Sequence, residues 1–341
     1  MKNLLTFLFG LTATVALAPS ATAQATGPTM KAIVVEKFGG PEALKLQDAP
    51  RPQPKDDEVL IRVMAAGVNP VDAFIRGGSF GRGKLPLIPG MDVAGVVEAT
   101  GANAKKFKGG DPVYAYLSFN EQGAYAEFCL AKENETSLKP KNISFEQAAS
   151  VPLAGTTAWQ ALIDVAKLKS GQTVLIHGGS GGVGHLAIQI AKARSAKVIA
   201  TASTANQDLL KQLGADQAID YSKTKFEDVV KDVDVVLDAT RTDALQRSYG
   251  IVKKGGFVVS ITGRPDSGEL QKHGIQGDSM MAHPDAHVLE ELTKLIEEKK
   301  LTPIVSETFP LADASKAHQQ IETHHTRGKI VLKVAEAPAE R

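Results

Sequence analysis

The stretch His177 to His185, HGGSGGVGH, constrains this chain more than any other. It follows a short apolar run, Thr173 to Ile176. It opens a segment with Val183, Leu186, Ile190 and Ala191 on one helical side. The pattern predicts strand, glycine-rich turn and helix, and it has two chemical readings. Counted from Gly179, the glycines Gly179, Gly181 and Gly184 spell G-x-G-x-x-G, a loop that cradles a pyrophosphate. Counted from Gly178, the residues Gly178, Ser180 and Gly182 spell G-x-S-x-G, an elbow that presents a serine nucleophile. In the first reading Gly179 allows the tight turn, Gly181 lets backbone approach the phosphates, and Gly184 lets the helix sit close to the sheet. The helix N-terminus then offers free N–H groups and the positive end of its dipole.

The flanking texture favours the first reading. From Ser144 onward a helical stretch, SFEQAASVPLAGTTAWQALI, with Ser144 and Gln147 spaced as a capping box, gives way to alternation. TVLIHG, a helix from Val183 to Arg194, KVIATAS, a helix near Asp208 to Leu213, QAIDY, VDVVLDAT, a helix and GFVVSITG follow in turn. Such alternation predicts a parallel sheet wound on both faces. IQGDSMMA is a candidate sixth strand, followed by a charged helix (VLEELTKLIEEKK), a further helix (ADASKAHQQIETHH) and a last strand, KIVLKV, expected to rejoin the first domain. A serine-hydrolase triad is available in chain order as Ser180, Asp238 and His273. Two features weigh against it: Gly184 has no role in an elbow, and an elbow normally has sheet strands before it, whereas here the parallel region begins at this strand.

Upstream, from Met30, the texture is β. KAIVVEKFG, DEVLIRVMAAGVN, DVAGVVEATG, DPVYAYL and AYAEFCLA alternate between Gly and Pro punctuation, with Val59, Ile61 and Val63 on one face, which suggests a small barrel. A net charge of +1 implies neither nucleic acid nor an anionic surface. The single cysteine, Cys129, has no partner for a disulfide or a Cys-based metal site. The first 25 residues carry Lys2, an apolar run from Leu4 to Ala18 and small-residue ends at Ala23 and Ala25, and read as a secretory signal peptide. The alternative is an uncleaved membrane anchor, but the run is short of the roughly 20 residues needed to span.

The segments AAGVNPVDAFIRGG, IPGMDVAGVVEATG, VPLAGTTAWQAL, HGGSGGVGHLAIQIAK, LGADQAIDY and HTRGKIVLKV identify a family. From about Met30 to Val334 the chain resembles the zinc-free quinone oxidoreductase branch of the medium-chain dehydrogenase/reductase superfamily, which includes zeta-crystallin-like and alkenal/enone reductases. The resemblance implies an α/β protein: a GroES-like catalytic β-barrel split around a Rossmann-type doubly wound parallel sheet, with the active site in the cleft between. The expected organisation is a signal peptide over 1–25, the first part of the catalytic domain over 28–150, a Rossmann NADP-binding domain over 151–287, a return to the catalytic domain over 288–335 and a flexible tail over 336–341. Family members are commonly dimers, so a homodimer is implied; the sequence itself does not show one.

Zinc-dependent members place a Cys in the loop reading Gly67-Val68-Asn69 here, a His where Met91 stands and a further Cys near Leu153. None is kept and the four-Cys lobe is missing, so no metal is expected. Without a metal to polarise an alcohol, the implied acceptor is activated: a quinone, or a C=C conjugated to a carbonyl. Asn69 is the catalytic candidate, hydrogen-bonding substrate or nicotinamide ribose; as a residue before Pro70 it also suits a plain turn. Thr156 and Thr157 are expected to start a helix facing the coenzyme, or merely to cap it. Phe74 and Phe80 stand where many relatives have tyrosines, so solvent or substrate tautomerisation is expected to supply the proton. Tyr116 is a substitute donor or a core tyrosine.

The strand ending Thr201-Ala202-Ser203-Thr204 lacks the acid that usually binds the ribose 2′-OH of NAD. Ser203 can donate to a 2′-phosphate, Tyr221 matches a family position beside it, and Asn206 replaces the usual basic residue. NADPH is therefore expected over NADH, held by Thr156, Gly179, Ser180, Gly181, Gly182, Val183, Gly184, Ser203 and Tyr221. Asp238 reads as a strand end with a structural role. His283 and His287, with Pro284 between them, and His324-His325 at a helix end read as bland. Export and a nicotinamide coenzyme are in tension, which leaves three arrangements: a periplasmic enzyme capturing leaked cofactor, an anchored protein facing the cytoplasm, or a non-catalytic quinone- or aldehyde-binding protein.

Overall fold

The computed structural model describes residues 27–79, 84–118 and 122–336. The segment read as a signal peptide, Phe80 and the tail from residue 337 lie outside them.

The barrel forms first along the chain. Strands β1 (Thr29–Val34) and β2 (Lys45–Pro50) pair antiparallel, and bridges from Ala32 to Ala126 and from Val35 to Leu87 tie them to the rest. β3 (Glu58–Val68) is the longest strand and is buried along almost its whole length. It needs apolar residues on both sides because it serves two cores. Val59, Ile61 and Val63 pack in the barrel core, whereas Ala65 packs with Ala94, Tyr114 and Val331 against the second domain. Helix α1 (Pro70–Arg76) follows. Then come β4 (Asp92–Thr100), β5 (Pro112–Tyr116), β6 (Phe128–Lys132) and β7 (Thr136–Leu138).

The continuous helical stretch expected after Ser144 is broken. The capping box of Ser144 and Gln147 starts α2 (Phe145–Ala149), and a second helix, α3 (Pro152–Trp159), continues as a π-helical turn over Gln160–Val165. Pro152 is the cause: it lacks an N–H to continue the hydrogen-bond ladder of α2, yet suits a first turn, and Val151 before it keeps helical geometry at φ −97° and ψ −45°. Thr156 and Thr157 therefore lie inside α3, and neither starts nor caps it.

The second sheet is built from β8 (Thr173–His177), α4 (Gly184–Ala193), β9 (Lys197–Ala202), α5 (Gln207–Gln212), β10 (Gln217–Asp220), α6 (Phe226–Val229), β11 (Val233–Asp238), α7 (Ala244–Ser248), β12 (Val252–Ser260), α8 (Ser267–His273) and β13 (Gln276–Ser279). All its pairings are parallel, in the order β10-β9-β8-β11-β12-β13. β8 is covered on both faces: Val174 and Ile176 join one core and Leu175 the other. Each such fully buried aliphatic stabilises by about 1.5–3 kcal/mol. The order reverses at β8, so its carboxyl end opens a crevice where ligands bind in such sheets. The candidate sixth strand is β13, and the short α6 and α8 were not expected.

After α9 (Ala286–Glu297), β14 (Val305–Pro310) and α10 (Ala314–Ile321), the chain returns to the barrel as anticipated. β15 (Lys329–Lys333) pairs antiparallel with β3, with Ile330 opposite Val68, and parallel with β14. No helix among the described residues is long and apolar enough to cross a membrane.

Candidate coenzyme and active site

The glycine loop leaves the carboxyl end of β8. The left-handed turn falls on Gly178, at φ +75°, and not on Gly179 as expected. Gly179 is instead small for packing: a Cβ there would stand 2.9 Å from Leu210 and 3.0 Å from Ala200. Gly184 is pressed by the turn's own main chain, since its Cβ would fall 2.1 Å from the Gly178 carbonyl oxygen. Gly181 differs from both. Its Cβ would meet only Gly178 O, at 3.4 Å, so the space beside it is open. Val183 is the N-cap of α4, which begins at Gly184. The N–H groups of Gly182, Val183 and Gly184 have no protein acceptor among the described residues. Open space beside bare backbone, free donors and a helix N-terminus suit an anionic diphosphate.

His185 braces this loop. Its Nε2 accepts from the Ile304 N–H (3.2 Å), so Nδ1 carries the proton and donates to Gly181 O (2.9 Å). Burial lowers its pKa to about 4, which keeps the ring neutral. The loop also touches the returning strand: Gly328 N donates to Ser180 O (2.8 Å), and a Gly182 Cβ would stand 3.1 Å from the Lys329 stem.

Ser203 follows β9, and its hydroxyl accepts from Asn206 Nδ2 (3.1 Å), leaving its own proton free. Tyr221 follows β10 and is 59% exposed. With the loop after β8, these residues stand at the carboxyl ends of three adjacent strands, as a dinucleotide site requires. Asp220, outside the Thr201 to Thr204 stretch, adds a carboxylate there. It accepts from Thr204 Oγ1 (2.6 Å) and lies 3.6 Å from Lys223. Thr156 is fully buried and its hydroxyl has no partner among the described residues, whereas Thr157 bonds Leu153 O (2.7 Å). An unsatisfied buried hydroxyl costs stability unless a ligand completes it.

Asn69 is the N-cap of α1, with its backbone N–H donating to Asp72 (2.8 Å). Its side chain belongs to a buried cluster that the sequence reading did not find. Asn69 Nδ2 donates to Asp92 Oδ2 (2.9 Å). Lys329 Nζ donates to Asp92 Oδ2 (3.1 Å), to Val68 O (3.1 Å) and, in a short contact, to Asn69 Oδ1. The other Asp92 oxygen accepts from Leu153 N (2.6 Å), which fixes the start of α3. Asp72 lies beside the cluster. Burial first, and then the Asp92 charge, raise its pKa to about 7, and its Oδ1 has no partner among the described residues. From Asp72 a file runs outward: Tyr125 OH at 3.3 Å, His318 Nε2 at 3.2 Å from that hydroxyl, and Arg76 at 3.1 Å from His318 Nδ1.

The remaining candidates take structural places. Tyr116 OH donates to Ala282 O (3.1 Å), as a core tyrosine. Phe74 carries the Arg241 guanidinium on its ring, 4.5 Å from the centroid, and so links α1 to the loop after β11. Asp238 ends β11 and accepts from Thr240, Ser260 and Thr262; among the described residues neither it nor Ser180 bonds a histidine, and His273 pairs with Glu269 on its own helix. The hydrolase reading is therefore not favoured. His283 is held through backbone by Gln160, and Asp285 caps the helix of His287.

This arrangement, a GroES-like barrel and a Rossmann-like sheet meeting at a glycine loop, defines a nicotinamide-dependent oxidoreductase class. The chain belongs to the quinone oxidoreductase and enone reductase branch of the medium-chain dehydrogenase/reductase superfamily. Family models described as "Alcohol dehydrogenase GroES-like domain" and "Zinc-binding dehydrogenase" match residues 55–141 and 213–332. The chain is 40% identical to the NADPH-dependent alkenal/one oxidoreductase of Arabidopsis thaliana, over 92% of this chain and 82% of that one. It is similar to the quinone oxidoreductase structure from Coxiella burnetii, at 37% identity and TM-score 0.83, covering 90% of this chain and all of that one. A mycobacterial protein complexed with NADPH matches at 33% identity and TM-score 0.81, covering 89% of this chain and all of that one.

Proposed function

We propose that the protein is an NADPH-dependent reductase of quinones or α,β-unsaturated carbonyls. Similarity to relatives with these named activities supports it. The structural observation that carries it is the open space at Gly181 beside the free N–H groups at the start of α4. Bound NADPH supplies the hydride. The chain's own residues bind and orient: Gly181, Gly182, Val183 and Gly184 receive the diphosphate, Ser180 and Gly179 shape the loop, and Ser203 and Tyr221 receive the 2′-phosphoribose. Thr156 offers its orphaned hydroxyl to the coenzyme, and Asn69 offers a donor to the substrate. The test is loss of absorbance at 340 nm on mixing protein, NADPH and a quinone. Coenzyme binding without oxidation would favour the non-catalytic alternative.

The reading includes zinc-free chemistry. Met91 and Leu153 are poor ligands, and the Lys329 ammonium beside Asn69 would repel a divalent cation. Metal analysis of the purified protein checks it: stoichiometric zinc would end this part of the reading. A homodimer fits the open edge of β13, which pairs only with β12 among the described residues and runs toward Met281, 70% exposed. Export rests on the leading segment alone, and N-terminal sequencing of the protein from a periplasmic fraction tests it.

A further inference from the structure

Lys329 holds Asn69 and Asp92 together from three distant parts of the chain. Its ammonium has three hydrogens, and all three have acceptors: Val68 O, Asn69 Oδ1 and Asp92 Oδ2. None is left for a phosphate, although its stem lies against Gly182. The Asn69 amide is thus gripped at both ends, its oxygen by a cation and one Nδ2 hydrogen by a carboxylate. The second Nδ2 hydrogen has no acceptor among the described residues. An amide whose oxygen bonds a cation in a dry site is polarised, and its N–H becomes a stronger donor.

We propose that Lys329 is a positioning residue for the reduction: it polarises and fixes Asn69, whose free Nδ2–H meets the substrate carbonyl oxygen. The inference rests on the reductase reading above. Hydride adds to the conjugated carbon with its two electrons. The C=C pair shifts toward the carbonyl, whose oxygen becomes an enolate or hydroquinone anion and is later protonated by solvent. A preorganised donor at that oxygen lowers the barrier because charge develops there.

Two rates and an affinity test it. Asn69→Ala should slow single-turnover hydride transfer about 100-fold. The double variant Lys329→Met/Asp92→Asn removes both charges, so no uncompensated ion stays buried. It should lose a similar factor while NADPH affinity, read by coenzyme fluorescence, stays within about twofold. Adding Asn69→Ala to it should cost nothing further, because the lysine acts through Asn69. Lys329→Arg keeps the charge but not the three-acceptor geometry, and should lose rate and not affinity. In ¹⁵N spectra the Asn69 side-chain amide proton, identified by its loss in Asn69→Ala, should move upfield in Lys329→Arg, which keeps the Asp92 acceptor. Losses that multiply in the triple variant, or tenfold weaker NADPH binding with an unchanged transfer rate, would overturn the proposal. Wild-type protein that binds NADPH but reduces no quinone or enone would sink the reductase reading instead, and the amide shift would still report on the coupling of Lys329 to Asn69.

Discussion

Alanine at Gly181 and alanine at Gly184 should have opposite consequences, although the two lie three residues apart in one loop. At Gly184 the added carbon would stand 2.1 Å from Gly178 O and 2.8 Å from Gly179 Cα, both main chain. No side chain can rotate away, so the cost lies at the upper end of the overpacking range, about 3 kcal/mol. The gain in helix propensity returns at most about 1 kcal/mol. A net loss near 2 kcal/mol should lower Tm by about 3 °C in a chain of this length. At Gly181 the same carbon meets one oxygen at 3.4 Å, an ordinary contact, and φ is not left-handed. Stability should stay within about 0.5 kcal/mol of wild type. The methyl group would, however, occupy the approach to the diphosphate, and NADPH Kd should rise about 10–100-fold, equivalent to about 1.4–2.7 kcal/mol. Thermal unfolding of the coenzyme-free proteins and fluorescence titration with NADPH measure the two effects separately. Wild-type affinity in Gly181→Ala would refute the placement of the diphosphate, and a wild-type Tm in Gly184→Ala would refute the helix-packing argument.

Thr156→Val keeps the shape of α3 and removes an orphaned hydroxyl, so the coenzyme-free protein should gain about 1 kcal/mol in urea unfolding while NADPH binding weakens about tenfold; weaker folding would mean the hydroxyl has a partner. Asp220→Asn removes a negative charge near Ser203 and should raise the ratio of kcat/KM for NADPH over NADH by a few-fold; an unchanged ratio would place the 2′-phosphate elsewhere. Burial holds the pKa of His177 and His185 at about 4 and that of His318 at about 3, each below its unfolded value. Their contribution is present above pH 6.5 and is lost as pH falls toward 4, because the unfolded chain takes up protons first. Asp72, raised to about 7, has the opposite sign across that window. Three protons against one leave a slope of about 3 kcal/mol per pH unit near pH 5, which urea midpoints at pH 7, 6 and 5 should reveal; a flat profile would contradict the burial of these rings.

The nucleotide domain was legible because its signals are local: apolar runs bounded by glycines, read at a period the sheet imposes. Even there the tight turn expected at Gly179 falls on Gly178, since composition does not tell which of two adjacent glycines takes positive φ. Helix α1 was missed although Asn69-Pro70 with Asp72 carries an N-terminal signature: a cap, a first-turn proline and an acid at the third position. The Asn69–Asp92–Lys329 cluster was not legible at all. Lys329 is 237 residues from Asp92 and 260 from Asn69, and the pairings of β15 and β4 with β3 bring the three together. The one hint is a lysine opening an otherwise apolar strand.

The place of β15 also sets an order of assembly. The parallel sheet is complete in sequence by β13, but the barrel waits for β15, which is made after every strand of that sheet. Until Lys329 arrives, Asp92 is a carboxylate without its counter-ion at the heart of a half-built domain. Synthesis should therefore yield a coenzyme-ready half first, with the reductive half held open until β15 has been made.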